Sequence, residues 1–257
     1  MSKMSKSQAV LQSEKITVDF SGFKAIKNLD FQVKPNTVHF VIGPNGAGKT
    51  TLLDVICGKS KASEGKLTFK NKYDLTKMTE YGIVHKGISR KFQAPSIFSK
   101  LTVFENLEIA MKQKKSLSGI LFAKLKKDNK KKIDDMLNLI GLSEEQDKKA
   151  GSLAHGQKQW LEIAMVLMQE PDLVLLDEPI AGMTKTERMK TGELITQIAK
   201  DRAVLIVEHD MDFVKEYADV VTVMHEGQLL REGSMEEVQN DPQVRQVYLG
   251  RKVEAHA

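Results

Sequence analysis

The stretch Gly43-Pro44-Asn45-Gly46-Ala47-Gly48-Lys49-Thr50 decides the fold of this 257-residue chain. It fits the phosphate-loop pattern G-x-x-x-x-G-K-[ST], in which glycines let the backbone wrap a polyphosphate with its N–H groups pointing inward. The β-rich run Thr37–Ile42 precedes the loop, and a predicted helix over Leu52–Cys57, ending at Gly58, follows it. The lysine can reach the β- and γ-phosphates, and the threonine hydroxyl can bind Mg²⁺. An ordinary glycine turn is the alternative, and this context disfavours it.

Strand-like and helical patterns alternate on both sides of the loop. Leu173–Leu176 is continuously apolar, as expected for a strand buried on both faces. A helix over Trp160–Met168 precedes it, and Thr184 with Glu187 is typical of a capped helix start. Strands that alternate with helices indicate a parallel sheet. The other predicted elements are strands at Ile16–Phe20, Asp30–Val33, Lys66–Phe69, Val204–Val207, Val220–Met224 and Gln228–Arg231, a turn at Glu226-Gly227, and a last helix capped by Ser234 and Glu237.

The segment from 94 to 152 has a different character, and we interpret it as a mostly helical insert. Thr102 and Glu105 have the spacing of a capping box ahead of an apolar-periodic run. A second helix runs through Ile133–Ile140 and stops at Gly141. The insert therefore separates the phosphate loop from the later strands.

The charge distribution argues against a nucleic-acid-binding protein. Lys112–Lys132 holds nine lysines against one acid, Asp128, so this stretch carries +8. The net charge of the whole chain is +5, which leaves −3 for the remainder. A nucleic-acid binder is expected to spread basic residues over a folded face, so we expect no such partner. The stretch suits a solvated helix face or loop, and contact with anionic lipid headgroups is the alternative.

The apolar runs and the single cysteine indicate which cellular compartment to expect. No apolar run approaches the roughly 18 residues of a membrane helix. Met1–Gln8 has lysines but no apolar stretch behind it, so we expect no secretory signal. Cys57 is the only cysteine, which makes an intramolecular disulfide impossible. We therefore expect a cytosolic protein.

Acidic residues follow two of the predicted strands. Asp177-Glu178 comes directly after an apolar run, and in phosphate-loop ATPases such an aspartate holds Mg²⁺. The next carboxylate is placed to polarise the attacking water. A helix-capping Asp-Glu pair is the alternative, which the upstream phosphate loop disfavours. Glu208-His209-Asp210 also follows a strand, but neighbouring strand residues point to opposite faces and cysteine partners are absent, which disfavours a metal site.

Several motifs, in order along the chain, resemble those of the ABC ATPase family. Leu153-Ala154-His155-Gly156-Gln157 resembles the signature LSGGQ and ends 20 residues ahead of Asp177, as is usual in that family. Lys91-Phe92-Gln93 looks like the Q-loop, and Ala181-Gly182-Met183-Thr184 looks like the D-loop. His209 falls at the switch histidine. The resemblance covers about residues 13–249, and the ordered set is far more specific than any single motif.

The resemblance implies an α/β fold of the phosphate-loop NTPase type. It implies a RecA-like core with a mostly parallel sheet, an antiparallel β subdomain, and a helical subdomain at 94–152 inserted in one nucleotide-binding domain at 12–250. The implied cofactors are ATP and Mg²⁺. The implied catalytic residues are Glu178, His209 and Gln93, and the implied Mg²⁺ ligands are Thr50, Gln93 and Asp177. The implied ATP-binding residues are Phe20 (with Phe23 as the fallback for stacking on adenine), Gly43, Pro44, Asn45, Gly46, Ala47, Gly48, Lys49, Thr50 and Thr51.

The resemblance also implies partners. In this family the signature of one subunit caps the ATP held by another, so residues 153–157 would act in trans within a dimer. The second ATPase can be identical or related. The helical subdomain receives a coupling helix from integral membrane permease subunits, which implies a peripheral site on the cytoplasmic face of the cell membrane. An extracytoplasmic solute-binding protein would take part indirectly.

Longer stretches around these motifs resemble the sequences of one class of importer. The stretches SLAHGQKQWLEIAM, LLDEPIAGMT and VRQVYLG resemble branched-chain amino acid importers, and HGQKQWLEI with AGMT is most like the ATP-binding subunit of urea importers. Two residues depart from the family pattern. Ala154 replaces a serine whose hydroxyl bonds the trans γ-phosphate, which removes a charge-assisted hydrogen bond of about 1.5–3 kcal/mol. Thr184 replaces an aspartate, which we expect to be mild because both residues cap helices well.

Two other classes of function are weighed against a transporter subunit. One is an ABC ATPase without a transporter, for example in DNA repair or translation; the single nucleotide domain, the lack of a long coiled coil and the slightly acidic body disfavour it. Stimulation of ATP hydrolysis by DNA ends or ribosomes would favour it. The other is a small-molecule kinase, which leaves the signature and His209 unexplained. A phosphotransfer assay separates this class from the other two.

Overall fold

The computed structural model describes residues 9–91, 97–111 and 127–247, without the side chain of Lys127. Phe92 and Gln93 of the predicted Q-loop and most of the lysine-rich stretch, residues 112–126, lie outside these ranges. Within them the chain forms two β-sheets with helices packed on them.

A six-stranded, mostly parallel sheet forms the centre of the fold. Its strands are β3 (Val38–Ile42), β6 (Ile88–Lys91), β7 (Leu173–Asp177), β8 (Ala203–Val207), β9 (Val220–His225) and β10 (Gln228–Gly233). The order is β10-β9-β3-β8-β7-β6, and β9, β3, β8, β7 and β6 are parallel. β10 returns antiparallel through Glu226-Gly227, whose positive φ angles of 48° and 80° suit a tight hairpin turn. The predicted parallel sheet and the predicted turn are both confirmed.

A smaller antiparallel sheet is built from the N-terminal part of the chain. It contains β1 (Leu11–Phe20), β2 (Phe23–Val33), β4 (Glu64–Phe69) and β5 (Tyr73–Asp74) in the order β2-β1-β4-β5. The first two strands are longer than predicted and form one hairpin through Ser21-Gly22. Register shifts between Ser13 and Asp19 interrupt the regular pairing of β1 with β2.

The described helices follow the predicted caps closely. They are α1 (Lys49–Ile56), α2 (Glu80–Lys86), α3 (Val103–Ala110), α4 (Lys127–Ile140), α5 (His155–Leu167), α6 (Lys185–Ala199), α7 (Met211–Tyr217) and α8 (Met235–Asn240). Capping boxes at Thr102, Thr184 and Ser234 are confirmed. The helices predicted at Leu52–Cys57, Ile133–Ile140 and Trp160–Met168 begin earlier than expected, because apolar periodicity does not mark their polar first turns.

Four elements were not predicted: β6, α2, α7 and the two-residue strand β5. α2 and α7 have seven residues each and bury only one or two side chains, so their periodicity is short. β6 reads Ile-Ser-Arg-Lys, and its two cations conceal a strand whose residues are largely buried. The helical subdomain at 94–152 remains a prediction; within it α3 and α4 pack against α5, which begins at His155.

Two apolar cores lie on opposite faces of the central sheet. Val174 and Leu176 of β7 face the core shared with α3, α4, α5 and α6. Leu173 and Leu175 face the other core, which α1 and the antiparallel sheet complete. All four side chains are fully buried. The prediction that this strand is buried on both faces is therefore confirmed, and the strand end carrying Asp177 is held firmly between two packed layers.

Candidate active site

The phosphate loop leaves the end of β3 and enters α1, as predicted. Gly43 has φ 151° and Gly48 has φ 99°, conformations that favour glycine. A Cβ atom would lie 2.2 Å from the Met224 carbonyl oxygen at Gly43 and 2.6 Å from the Ala25 carbonyl oxygen at Gly48. These two glycines are therefore required by close backbone packing. The Gly227 N–H donates to the Ala47 carbonyl at 3.1 Å, so the β9–β10 turn supports the loop from behind.

The side chain of Lys49 folds back over the loop that precedes it. Its Nζ donates to the carbonyl oxygens of Gly43 at 2.8 Å and Pro44 at 3.0 Å. Thr50 and Thr51 follow in the first turn of α1, whose N-cap residue Gly48 has no side chain to satisfy the first N–H groups. The positive end of the helix dipole and a lysine thus meet at one place, which suits a polyphosphate.

Two aromatic residues lie at the tip of the β1–β2 hairpin. Phe20 and Phe23 are paired across the turn, and their exposed fractions are 50% and 68%. Further along β2, Ala25 lies against Gly48 of the phosphate loop. The hairpin therefore carries exposed aromatic rings next to the loop, in keeping with the predicted adenine stacking. Both rings are exposed enough for that role.

The carboxylate of Asp177 ends β7 and is buried. Its Oδ2 accepts a hydrogen bond from Arg90 Nη2 at 2.9 Å, and the same guanidinium also binds Asp54 of α1. Burial raises the pKa of the Asp177 carboxyl above its usual value, and the Arg90 guanidinium opposes that shift. Asp54 lies one helical turn after Thr50, so Arg90 joins the base of the phosphate-loop helix to the end of β7.

Glu178 and His209 come together at the same edge of the sheet. Glu178 has the left-handed φ of 47°, and its N–H donates to the Val207 carbonyl at 2.9 Å. Its Oε1 lies 3.5 Å from His209 Nδ1. β7 and β8 are adjacent and parallel, with Asp177 opposite Val207, so the residues that follow both strands meet. The predicted base and the predicted switch histidine are thus neighbours.

Glu208 is buried and contacts two loops of the site, which its place in the sequence does not reveal. Its side chain is 1% exposed, and its carboxylate accepts from the N–H groups of Ile180 at 3.4 Å and His209 at 3.0 Å. Burial raises the pKa of Glu208, and these N–H groups oppose the shift. It therefore ties the loop after β7 to the loop after β8. β8 ends at Val207, as predicted, so the rule that neighbouring strand residues point to opposite faces does not apply to residues 208–210.

The residues present fit an oxygen-liganded cation. Asp177 Oδ1 is buried and has no hydrogen-bond partner among the described residues. The Thr50 side chain is exposed in the first turn of α1. Mg²⁺ is commonly bound by one or two protein oxygens together with phosphates and water. No group of three His, Cys, Asp or Glu side chains that could hold a metal occurs in the described ranges. The third predicted ligand, Gln93, lies outside them.

The signature-like residues 153–157 lie at the start of α5, where they contact the predicted D-loop. His155 Nε2 lies 3.1 Å from the Ala181 carbonyl oxygen. A Cβ at Gly156 would lie 2.2 Å from Glu187 Oε1, so that carboxylate is seated against the first turn of α5. The N–H and hydroxyl of Thr184 lower the pKa of Glu187, and the Gly156 N–H lowers it further. The carboxylate of Glu187 therefore lies beside the signature-like residues.

No helix in the described ranges is both long enough and apolar enough to span a membrane.

Two protein families and several known proteins are similar to this chain. The family described as ABC transporter matches residues 26–181, and the family described as branched-chain amino acid ATP-binding cassette transporter matches residues 232–254. A probable branched-chain amino acid transport ATP-binding protein, LivG of Methanocaldococcus jannaschii, is 36% identical over 96% of this chain and 100% of that protein. The high-affinity protein LivG of Salmonella typhimurium is 32% identical over 95% and 99%. A solved ATP-binding cassette of an ABC transporter in its ADP conformation has 34% identity and a TM-score of 0.80, over 94% of this chain and 99% of that one.

Proposed function

The chain belongs to the ATP-binding proteins of the ABC transporter family, and on that premise we propose that it hydrolyses ATP to power solute uptake through a membrane permease. One observation carries the proposal. The phosphate loop, Asp177-Glu178 and His209 follow three adjacent parallel strands and meet at one edge of the sheet. This edge is where α/β proteins bind nucleotides.

Each residue has a definite task in the proposed hydrolysis. Lys49 and the loop N–H groups hold the β- and γ-phosphates, and Glu178 draws the proton from the attacking water. His209 Nδ1 lies 3.5 Å from Glu178 Oε1, so the imidazole can hold this carboxylate in place and contact the γ-phosphate. Phe20 stacks on adenine. Gln93 is assigned to the same site by its motif.

Mg²⁺ would be held by the Thr50 hydroxyl and by Asp177, with Gln93 as the further ligand. The bound cation would neutralise charge on the phosphate oxygens. Arg90 holds Asp177 by Oδ2, which leaves Oδ1 for the cation or its water.

Replacing His209 by alanine is expected to lower turnover by about 10²-fold or more, because the base loses its neighbour at the γ-phosphate. ATP affinity should change far less, since the side chain is 68% exposed and supports no part of the phosphate loop. Steady-state hydrolysis and nucleotide titration measure the two quantities. His85→Ala, on exposed α2, is the control. An equal loss of ADP and ATP binding contradicts the assigned role.

Residues 153–157 are proposed to cap the ATP of a partner ATPase in a sandwich dimer. Ala154 is the N-cap of α5 and offers no hydroxyl, while its own N–H donates to Gln157 Oε1 at 3.0 Å. Glu187 supplies a carboxylate at the same helix start. A γ-phosphate that approaches this helix start would also lie near the carboxylate of Glu187.

Restoring the hydroxyl with Ala154→Ser is expected to raise hydrolysis of the assembled transporter by up to roughly tenfold, as one charge-assisted hydrogen bond allows. Binding of ATP to the isolated chain should not change. A serine N-cap also stabilises α5 by about 0.5–2 kcal/mol, which thermal unfolding of the isolated chain reports separately. The gain should disappear when the facing site of the partner lacks its own base. Unchanged turnover in the transporter, or a gain already present in the monomer, contradicts capping in trans.

Permease subunits are the proposed membrane partners, and a groove beside α5 suits their coupling helix. The groove has a volume of about 270 Å³ and is lined by side chains of α2, β6, α3 and α5, among them Val84, Ile88, Met165 and Val166. Further apolar side chains, Tyr81 and Ile109, are exposed on α2 and α3. With permease subunits as partners, the proposed location is peripheral, at the cytoplasmic face of the membrane, and a solute-binding protein would act on the other side.

The proposed solute is a small polar molecule, either a branched-chain amino acid or urea. The relatives named above are described as branched-chain amino acid transport proteins. The stretches HGQKQWLEI and AGMT resemble urea importers instead. Uptake of radiolabelled leucine and urea by cells with and without the chain distinguishes the two. Stimulation of ATP hydrolysis by DNA ends or ribosomes rather than by a permease, or transfer of phosphate to a small molecule, would refute the importer assignment.

A further inference from the structure

Two adjacent cations on β6 are buried, and each is paired with a carboxylate. Arg90 is 4% exposed and binds Asp54 and Asp177. Lys91 is 2% exposed, and its Nζ lies 3.2 Å from Glu162 Oε2, whose side chain is 3% exposed. Buried charges of this kind are rare and are retained when they have a specific partner.

The two cations serve opposite faces of the sheet. Neighbouring residues of a strand point to opposite sides, so Arg90 and Lys91 cannot reach the same layer. Arg90 joins α1 and the end of β7, which belong to the nucleotide side. Lys91 reaches Glu162 in the middle of α5, the helix that begins with the signature-like residues. The ion pairs of β6 therefore connect this strand both to the nucleotide side and to α5, the helix that begins with the signature-like residues.

Stability alone does not explain the Lys91–Glu162 pair. The cost of removing two charges from water roughly cancels their attraction, so a buried ion pair is often no more stabilising than apolar residues of the same volume. What the pair supplies is a fixed geometry, because a displaced partner leaves an uncompensated charge. Glu162 is seven residues after His155, about two turns along α5. Fixing this residue on β6 therefore fixes where the helix start lies.

We propose that Lys91 and Glu162 are positioning residues that hold the signature helix α5 in register with the nucleotide side through β6. The inference rests on the proposed function, since it concerns how the signature is presented to a partner's ATP. Arg90 anchors the same strand to Asp54 and Asp177. The strand and α5 thus move as one body.

The test is the double variant Lys91→Met/Glu162→Gln, which removes both charges and keeps the volumes. Its matched control is Lys132→Met/Glu170→Gln, which removes an exposed ion pair of 2.5 Å between α4 and the turn that follows α5. ATP hydrolysis by the assembled transporter is measured for both. We expect the buried double variant to lose about tenfold in kcat, equivalent to about 1.4 kcal/mol, with KM for ATP within about twofold. The control should match the wild type.

A direct readout of geometry accompanies the kinetics. Spin labels are placed in a Cys57→Ala background at two exposed positions, Ser152 ahead of the signature-like residues and Gln228 beside the phosphate loop. They report the distance between the start of α5 and the phosphate loop. The distance distribution should shift or broaden in the buried double variant and stay unchanged in the surface control. A variant that only weakened the fold would lower the unfolding temperature without this change.

If the double variant does not fold, Glu162→Asp is tested instead, because it keeps the negative charge and shortens the side chain by one methylene group. It should lower kcat severalfold at unchanged KM and shift the same distance. Wild-type turnover with an unchanged distance in either variant overturns the inference, as does a loss of kcat matched by an equal loss of ATP affinity. Failure of the proposed function is recognised separately, because the wild-type transporter would then show no ATP hydrolysis in the same assay.

Discussion

Lys49→Ala is expected to abolish ATP hydrolysis, with a loss of at least about 10²–10³-fold in kcat/KM. The Lys49 ammonium is already seated over the loop by its bonds to the Gly43 and Pro44 carbonyls. A polyphosphate entering the loop would exchange these neutral acceptors for charged oxygens at little cost in side-chain entropy. Without the ammonium, the loop itself offers only its N–H groups and the helix dipole to balance the charge of the phosphates.

Nucleotide titration and steady-state hydrolysis of the purified variant test this result. Lys59→Ala is the control, because this lysine follows α1 and its side chain is 56% exposed. Thermal unfolding should show that both variants fold, since the bonds lost at Lys49 lie in a loop rather than in a core. Near-normal hydrolysis by Lys49→Ala would contradict the assignment of residues 43–50 as a phosphate loop.

Glu178→Gln is expected to keep ATP binding and lower hydrolysis by about 10²–10⁴-fold, the usual contribution of a general base. The amide preserves the shape of the side chain but cannot take a proton from water. The backbone contact of Glu178 with Val207 does not involve the side chain, so the loop should keep its conformation. ATP should therefore remain bound, and the closed dimer should accumulate.

Turnover and size-exclusion chromatography with ATP and Mg²⁺ measure these effects. Glu226→Gln is a matched control, because Glu226 has nearly the same positive φ, 48° against 47°, and lies in a turn outside the carboxylate cluster. This variant should behave as the wild type. Unchanged turnover in Glu178→Gln rules out the role of base, and an equal loss in Glu226→Gln would show that the effect is not specific to Glu178.

The sequence by itself determined the elements whose signals are local. The phosphate loop is recognisable because its glycines and its lysine lie within one short stretch of sequence. The structure requires glycine at Gly43 and Gly48 for close backbone packing. The capping boxes were predictable because both partners lie within one turn. The apolar strand before Asp177-Glu178 was predictable because burial on both faces leaves no polar position in it. The roles of Glu178 and His209 followed from the family resemblance, whereas their meeting depends on the adjacency of β7 and β8 in the structure.

Only the tertiary structure decided which charged residues are buried and what they bind. β6 was missed because Arg90 and Lys91 resemble surface residues, and their partners Asp177 and Glu162 are far away along the chain. The same holds for the carboxylate of Glu208, which becomes a buried acceptor once two loops converge on it. A polar residue in a strand carries no local mark of burial, because the cost of removing it from water is offset by a group that the fold brings from elsewhere.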